Sequence, residues 1–254
     1  MAPVLPDPAP PARPAPRAVN DETLFGTLRR THELWFTQLL RELAGLQRSL
    51  AAGDCAGALR DLDRSLRVMK MAAAQMEIFE PLATPRFAAL GATARFRETE
   101  AVLGQRHPWM HDGHPEESDA GGSILAAMNR PSVFDSFLSL LVLAGYPVPL
   151  TSLYRDVTAP LKPSPELQSV LVRVYHDDGA AAQICERLTD LDECFQAWRY
   201  RHLSMLERTT SEPTTSEPTT SGAPGTDEVP GALASRAQAF APLFPDLWAV
   251  RRLL

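Results

Sequence analysis

Between positions 184 and 205, Ile184, Leu188, Leu191, Phe195, Trp198, His202 and Met205 follow one another at steps of 4, 3, 4, 3, 4 and 3. Only an α-helix, with 3.6 residues per turn, returns such positions to one side. The same spacing recurs in Leu24, Phe25, Leu28, Trp35, Leu39, Leu43, Leu46 and Leu50, started by Asn20 or Asp21 and stopped at Gly53. Asp54 restarts it, with Leu59, Leu62, Leu66, Met69, Ala73 and Met76 on one face. A third helix is predicted from Thr84 as cap and Pro85 at the first helical position towards Leu103. A fourth starts near Pro131 and is apolar almost all round through "VFDSFLSLLVLAG", a fifth holds Leu167, Val170, Leu171 and Val174, and a short last one follows "RAQAFAPLFPDLWAVRRLL". The stretch 105–123 reads as a loop by composition. No alternating strand pattern competes, so the expected class is all-α, a helical bundle.

Four parts are expected along the chain. Residues 1–20 are rich in Pro and Ala and read as a disordered arm; they lack the continuous apolar centre of a secretory signal. Residues 21–208 form the helical domain. Residues 209–230 repeat the unit TTSEP, which cannot bury a core and reads as a low-complexity loop. Residues 231–254 supply a C-terminal helical segment packing on the same domain. A formal charge of −6 argues against nucleic acid, whose phosphates want a basic face. No apolar run is long enough for a membrane span. Three cysteines without CxxC spacing fit reduced thiols in a cytoplasm and exclude covalent c-type heme attachment.

His202 stands out because a histidine on an apolar stripe needs a partner for its ring nitrogens. Chemistry alone leaves two readings open, a hydrogen-bonded core histidine or a metal ligand. Trp198 and Tyr200 are flat amphipathic groups of the kind that border a cofactor, and Arg199, Arg201 and Arg208 could pair with propionates. A bundle interior suits a heme held by a neutral imidazole. "HPWMHDGH" offers His107, His111, Asp112 and His114, but at short spacing in a loop, where solvated histidines are the default over zinc ligands.

"NDETLFGTLRRTHELWFTQLLREL" (20–43) and "DLDECFQAWRYRHLSMLERT" (190–209) resemble the two best-marked segments of the tryptophan 2,3-dioxygenase superfamily. The resemblance continues in order through "LRVMKMAAAQMEIFEPLATPRF", "FRETEAVLGQRHPWM", "RPSVFDSFLSLLVLAGYPVP" and "LYRDVTAPLKPSPELQSVLVRVYHD", and closes with "FPDLWAVRRLL". It implies a heme pocket between helices, with heme b bound through the histidine of a WRxxH block. Here that histidine is His202, the implied iron ligand, with Trp198 and Arg199 as further cofactor contacts. It also implies Phe25 packing against the indole, and a homo-oligomer, dimer or tetramer.

The pocket departs from the family pattern. The family's histidine four residues before the Glu of "ELW" is replaced by Arg29, with His32 one helical turn on. The arginine for the substrate carboxylate is not matched, and Gly91 or its neighbours fall there. The SGFQS loop is deleted, and the TTSEP repeat stands where a GTGGSSG segment closes over the substrate. A buried carboxylate needs a paired cation, so Arg29, Arg30 and Arg86 are the candidates for substrate binding, and Arg29 and His32 for catalysis. The function implied is a cytoplasmic heme-dependent oxygenase acting with dioxygen on L-tryptophan or a related, modified aromatic amino acid, in specialised metabolism. The alternatives are an aromatic hydroxylase using peroxide or oxygen, and a catalytically inactive heme-binding partner protein.

Overall fold

The computed structural model describes residues 16–79, 93–107, 110, 113–211 and 241–254. Three long helices carry the core: α1 (Pro16–Ala51), α2 (Cys55–Phe79) and α8 (Ala180–Ser211). Between them lie α3 (Ala94–Leu103), α4 (Asp119–Met128), α5 (Val133–Leu143), α6 (Leu150–Leu153) and α7 (Pro165–His176), and α9 (Pro245–Arg251) follows. Among the described residues there is no strand.

The α1–α2 turn is built from local chemistry. Gly53 takes φ +72°, a left-handed conformation that closes α1 and that a Cβ would disfavour. Asp54 then caps α2, its Oδ1 accepting from the Gly57 N–H at 2.8 Å. α2 folds back on α1 and packs on α8, while α3 and α5 also pack on α1. The α1 stripe of Phe25, Leu28, Phe36, Leu39, Leu43, Leu46 and Leu50 is buried throughout. It meets Leu62, Leu66, Met69 and Met76 of α2, and the α8 stripe Ile184, Leu188, Leu191, Phe195, Trp198 and Met205. Ser132 and Asp135 form a capping box at the start of α5, and Arg155 holds the same Asp135 through two hydrogen bonds of 2.7 Å.

α9 is moored by two buried carboxylates. Asp192 of α8 accepts from the Phe244 N–H at 3.1 Å and from Trp248 Nε1 at 2.8 Å. Asp246 accepts from the Ser164 N–H and Gln168 Nε2. Burial pushes both carboxyls up from the ordinary range.

Several boundaries differ from expectation. α1 reaches back to Pro16, into the segment read as an arm, and α8 runs on to Ser211. α4 occupies the end of the stretch read as a loop: Ser118 Oγ accepts from the Gly121 N–H, and Asp119 stands in the first turn. Thr84, Pro85 and Arg86 lie outside the described residues, and the third helix is seen from Ala94.

Candidate functional site

Residues of three helices meet around Trp198. From α1 come His32 and Phe36, from α3 Phe96 and Glu100, and from α8 Phe195, Trp198, Arg199 and His202. Trp198 is 1% exposed. Its indole lies nearly parallel to the His202 imidazole, 5.1 Å between centroids at 13°, as the four-residue spacing on one helix allows. His32 stacks on the same indole at 5.3 Å and 22°, and meets Phe36 edge-on at 4.8 Å. Phe96 lies 4.4 Å from Trp198, and Phe36 stands across it at 81°. Two imidazoles thus share one indole, enclosed by phenyl rings.

His32 is fully buried, and neither ring nitrogen has a hydrogen-bond partner among the described residues; Trp198 Nε1 has none either. An unsatisfied buried donor or acceptor costs about 1–3 kcal/mol. Burial, and secondarily the nearby His202, lowers the His32 pKa to about 3, so the ring is neutral at ordinary pH. His202 is half-buried, between the buried Trp198 and Met205 of the α8 stripe.

Arg199 is buried and donates to Glu100 Oε1 at 2.7 Å, with its guanidinium carbon 5.7 Å from the Phe195 ring centre. His107 is half-buried, its Nε2 2.7 Å from Gln105 Oε1, and desolvation lowers its pKa. His111 and Asp112 lie outside the described residues, and among those described no three His, Cys, Asp or Glu side chains cluster as a metal site would require. A heme, which needs a single protein ligand, is not constrained by that.

No family model matches the chain. Curated relatives do. It is 39% identical over 244 residues to the tryptophan 2,3-dioxygenase of Anaeromyxobacter dehalogenans, spanning 92% of this chain and 88% of the relative. To the tryptophan 2,3-dioxygenase of Herpetosiphon aurantiacus it is 37% identical over 241 residues (91% and 88%), and to that of Caulobacter vibrioides 30% over 247 residues (92% and 90%). The chain belongs to the tryptophan 2,3-dioxygenase family. The all-α bundle is the class expected of that resemblance.

Within this family member the structure brings His202, Trp198 and His32 together, but not all of the other candidates. Phe25 is buried on α1, seven residues before His32 and so on the same face. Arg29 and Arg30, on the same helix, are exposed. Arg86 lies outside the described residues. Arg199 has a carboxylate partner within the fold. The burial of His32 and the Glu100 partner of Arg199 were not anticipated. The signal for His32 was present in the spacing: it stands four residues after Leu28 and four before Phe36, inside the α1 stripe.

Proposed function

We propose that this chain is a heme-dependent oxygenase acting on L-tryptophan or a related aromatic amino acid, with His202 as the residue that would hold the iron of heme b. The observation that carries the reading is family membership across some nine tenths of the chain, joined to a half-buried His202 whose ring lies nearly parallel to Trp198. The residues suit the group. A heme iron takes a neutral imidazole whose orientation is fixed by its surroundings. Polar atoms of His32 and Trp198 that are unpaired among the described residues stand in the same cluster. Heme, when bound there, supplies the redox chemistry that activates dioxygen.

The chain's own residues do the rest. Phe25 offers an apolar face to an indole ring. Arg29, exposed one turn further along α1, can reach outward to a substrate carboxylate as a fixed cation that cannot serve as a base. Arg86 stays a second candidate for that carboxylate. Arg199, if it also serves the cofactor, does so with its position set by Glu100. The relatives' names do not favour the peroxide-dependent hydroxylase or the inactive partner protein. No helix of the described residues is long and apolar enough to cross a membrane. Cytoplasmic residence and a homo-oligomer belong to the same reading; exposed Val142, Leu143, Leu150 and Tyr154 around α5 and α6 support the second.

The test is reconstitution with hemin beside His202→Ala, followed by oxygen uptake with L-tryptophan. A Soret band present in the parent and lost or shifted in the variant, with oxygen consumed alongside indole absorbance, is expected. A parent that takes up no heme would overturn the reading.

A further inference from the structure

Trp198 is the only described residue seen to stack on both His32 and His202. Its other aromatic neighbours meet it differently: Phe36 at 81° is edge-on, and Phe96 at 33° is tilted. His32 alone presents α1 to the indole as a near-parallel face, at 22°, and the indole presents a near-parallel face to His202 at 13°. The three rings therefore form one set of aligned plates joining α1 to α8 at His202.

The position is an expensive place for an imidazole. His32 is 0% exposed and packed against Phe36 and Trp198, yet neither nitrogen is paired among the described residues. For stability alone an aliphatic side chain of similar volume would serve there without stranded polar atoms. What an aliphatic side chain lacks is a flat face small enough to stack at 5.3 Å on Trp198 while meeting Phe36 at 4.8 Å.

We infer that His32 is a positioning residue: by stacking on Trp198 it fixes the plane of the indole and, through it, the plane of the His202 imidazole. Its part in heme binding rests on the function proposed above, whereas the ring alignment does not. This differs from a catalytic role, because a side chain closed inside the α1–α3–α8 core touches neither solvent nor a substrate entering from it. Orienting groups around a ligating histidine commonly change metal affinity about 10- to 100-fold when lost.

The experiment uses the full chain, with and without hemin. In heme-free protein, the ring-proton shifts of His202, assigned with His202→Ala, report its stacking on Trp198. His32→Leu removes the flat face at similar volume, and His32→Phe keeps it. The expected result is that His202 moves towards unstacked shifts in His32→Leu and keeps its parental shifts in His32→Phe, with hemin affinity falling about tenfold only in the former. Should His32→Leu fail to fold, His32→Met, which adapts to irregular space, carries the same comparison. Parental His202 shifts in the aliphatic variants, or equal loss in His32→Phe, would overturn the inference. Hemin uptake by the parent that ignores His202→Ala would sink the heme reading instead, and the heme-free shifts would still decide the role of His32.

Discussion

Glu100 on α3 and Arg199 on α8 meet inside the bundle at 2.7 Å, with side chains 4% and 9% exposed. The pair ties the helix beside the undescribed segment 80–92 to the turn of α8 that precedes His202. Arg97, 3.6 Å from the other Glu100 oxygen, adds a second cation.

Losing one member of this pair strands the other charge. Glu100→Ala is expected to cost about 3–5 kcal/mol, the usual penalty for an orphaned buried charge. The double variant Glu100→Met with Arg199→Met should recover part of that, since the Arg199 charge is then gone as well and only Arg97 of the three charges remains. Urea unfolding midpoints of the three proteins measure it, and equal losses in single and double variants would contradict the pairing.

His32 makes stability depend on acid. In the unfolded chain its ring binds a proton near pH 6.5, in the folded chain only near 3. Between those values the unfolded state holds more protons, so acidification favours unfolding by up to about 1.4 kcal/mol per pH unit. Going from pH 7 to pH 5 should cost about 2 kcal/mol through this residue. The raised carboxyls of Asp192 and Asp246 act oppositely: their folded forms hold protons more tightly, adding stability as pH falls towards the ordinary carboxylate range. The comparison is therefore parent against His32→Phe at both pH values, where the variant should show the smaller acid loss.

The mooring of α9 has a clear weak point. Asp192→Ala leaves the Phe244 N–H and Trp248 Nε1 without their acceptor. A loss of about 2–4 kcal/mol is expected from two stranded donors, with Trp248 emission shifting to the red as the indole meets water. An unshifted spectrum in a destabilised variant would place the effect elsewhere in α8.

What the sequence revealed and what it hid divide along physical lines. α1, α2 and α8 were legible because each carries a long apolar stripe at helical spacing, and most of each stripe is buried; Leu24 is exposed, and Trp35, Leu59 and Ala73 are half-buried beside the buried Phe36 and Ala72. α4 was not, because its first half, "DAGGS", has the composition of a loop. Gly121 is there for closeness rather than flexibility, since a Cβ on it would collide with the Pro115 carbonyl. Ser118 and Asp119 were the missed start signal. His202 was marked by both its stripe and the family resemblance. His32 was marked as a candidate by its place one turn after Arg29, but its burial was marked by the stripe alone, which a reading organised around Trp35 rather than the buried Phe36 passed over. The Glu100–Arg199 contact joins residues 99 apart in the chain, and no local pattern announces such a pair.

Arg29 supplies the sharpest functional prediction. It stands where the family resemblance expects a distal histidine, four residues after the buried Phe25, and the structure leaves it exposed. If it binds the substrate carboxylate, Arg29→Ala removes a charge-assisted contact worth about 1.5–3 kcal/mol, a fall of about 10- to 150-fold in kcat/KM. Heme content and the Soret band should stay as in the parent, because the side chain lies on α1 and not beside His202 in the α8 stripe. Arg29→Lys should restore only part of the loss, since an ammonium keeps the charge but not the two-pronged geometry. Steady-state kinetics with L-tryptophan, beside the analogue lacking its carboxylate, separate the contact from a general effect: the two substrates should become nearly equal in Arg29→Ala. Retention of the parental preference for the carboxylate would pass the role to another cation, with Arg86 the next to test.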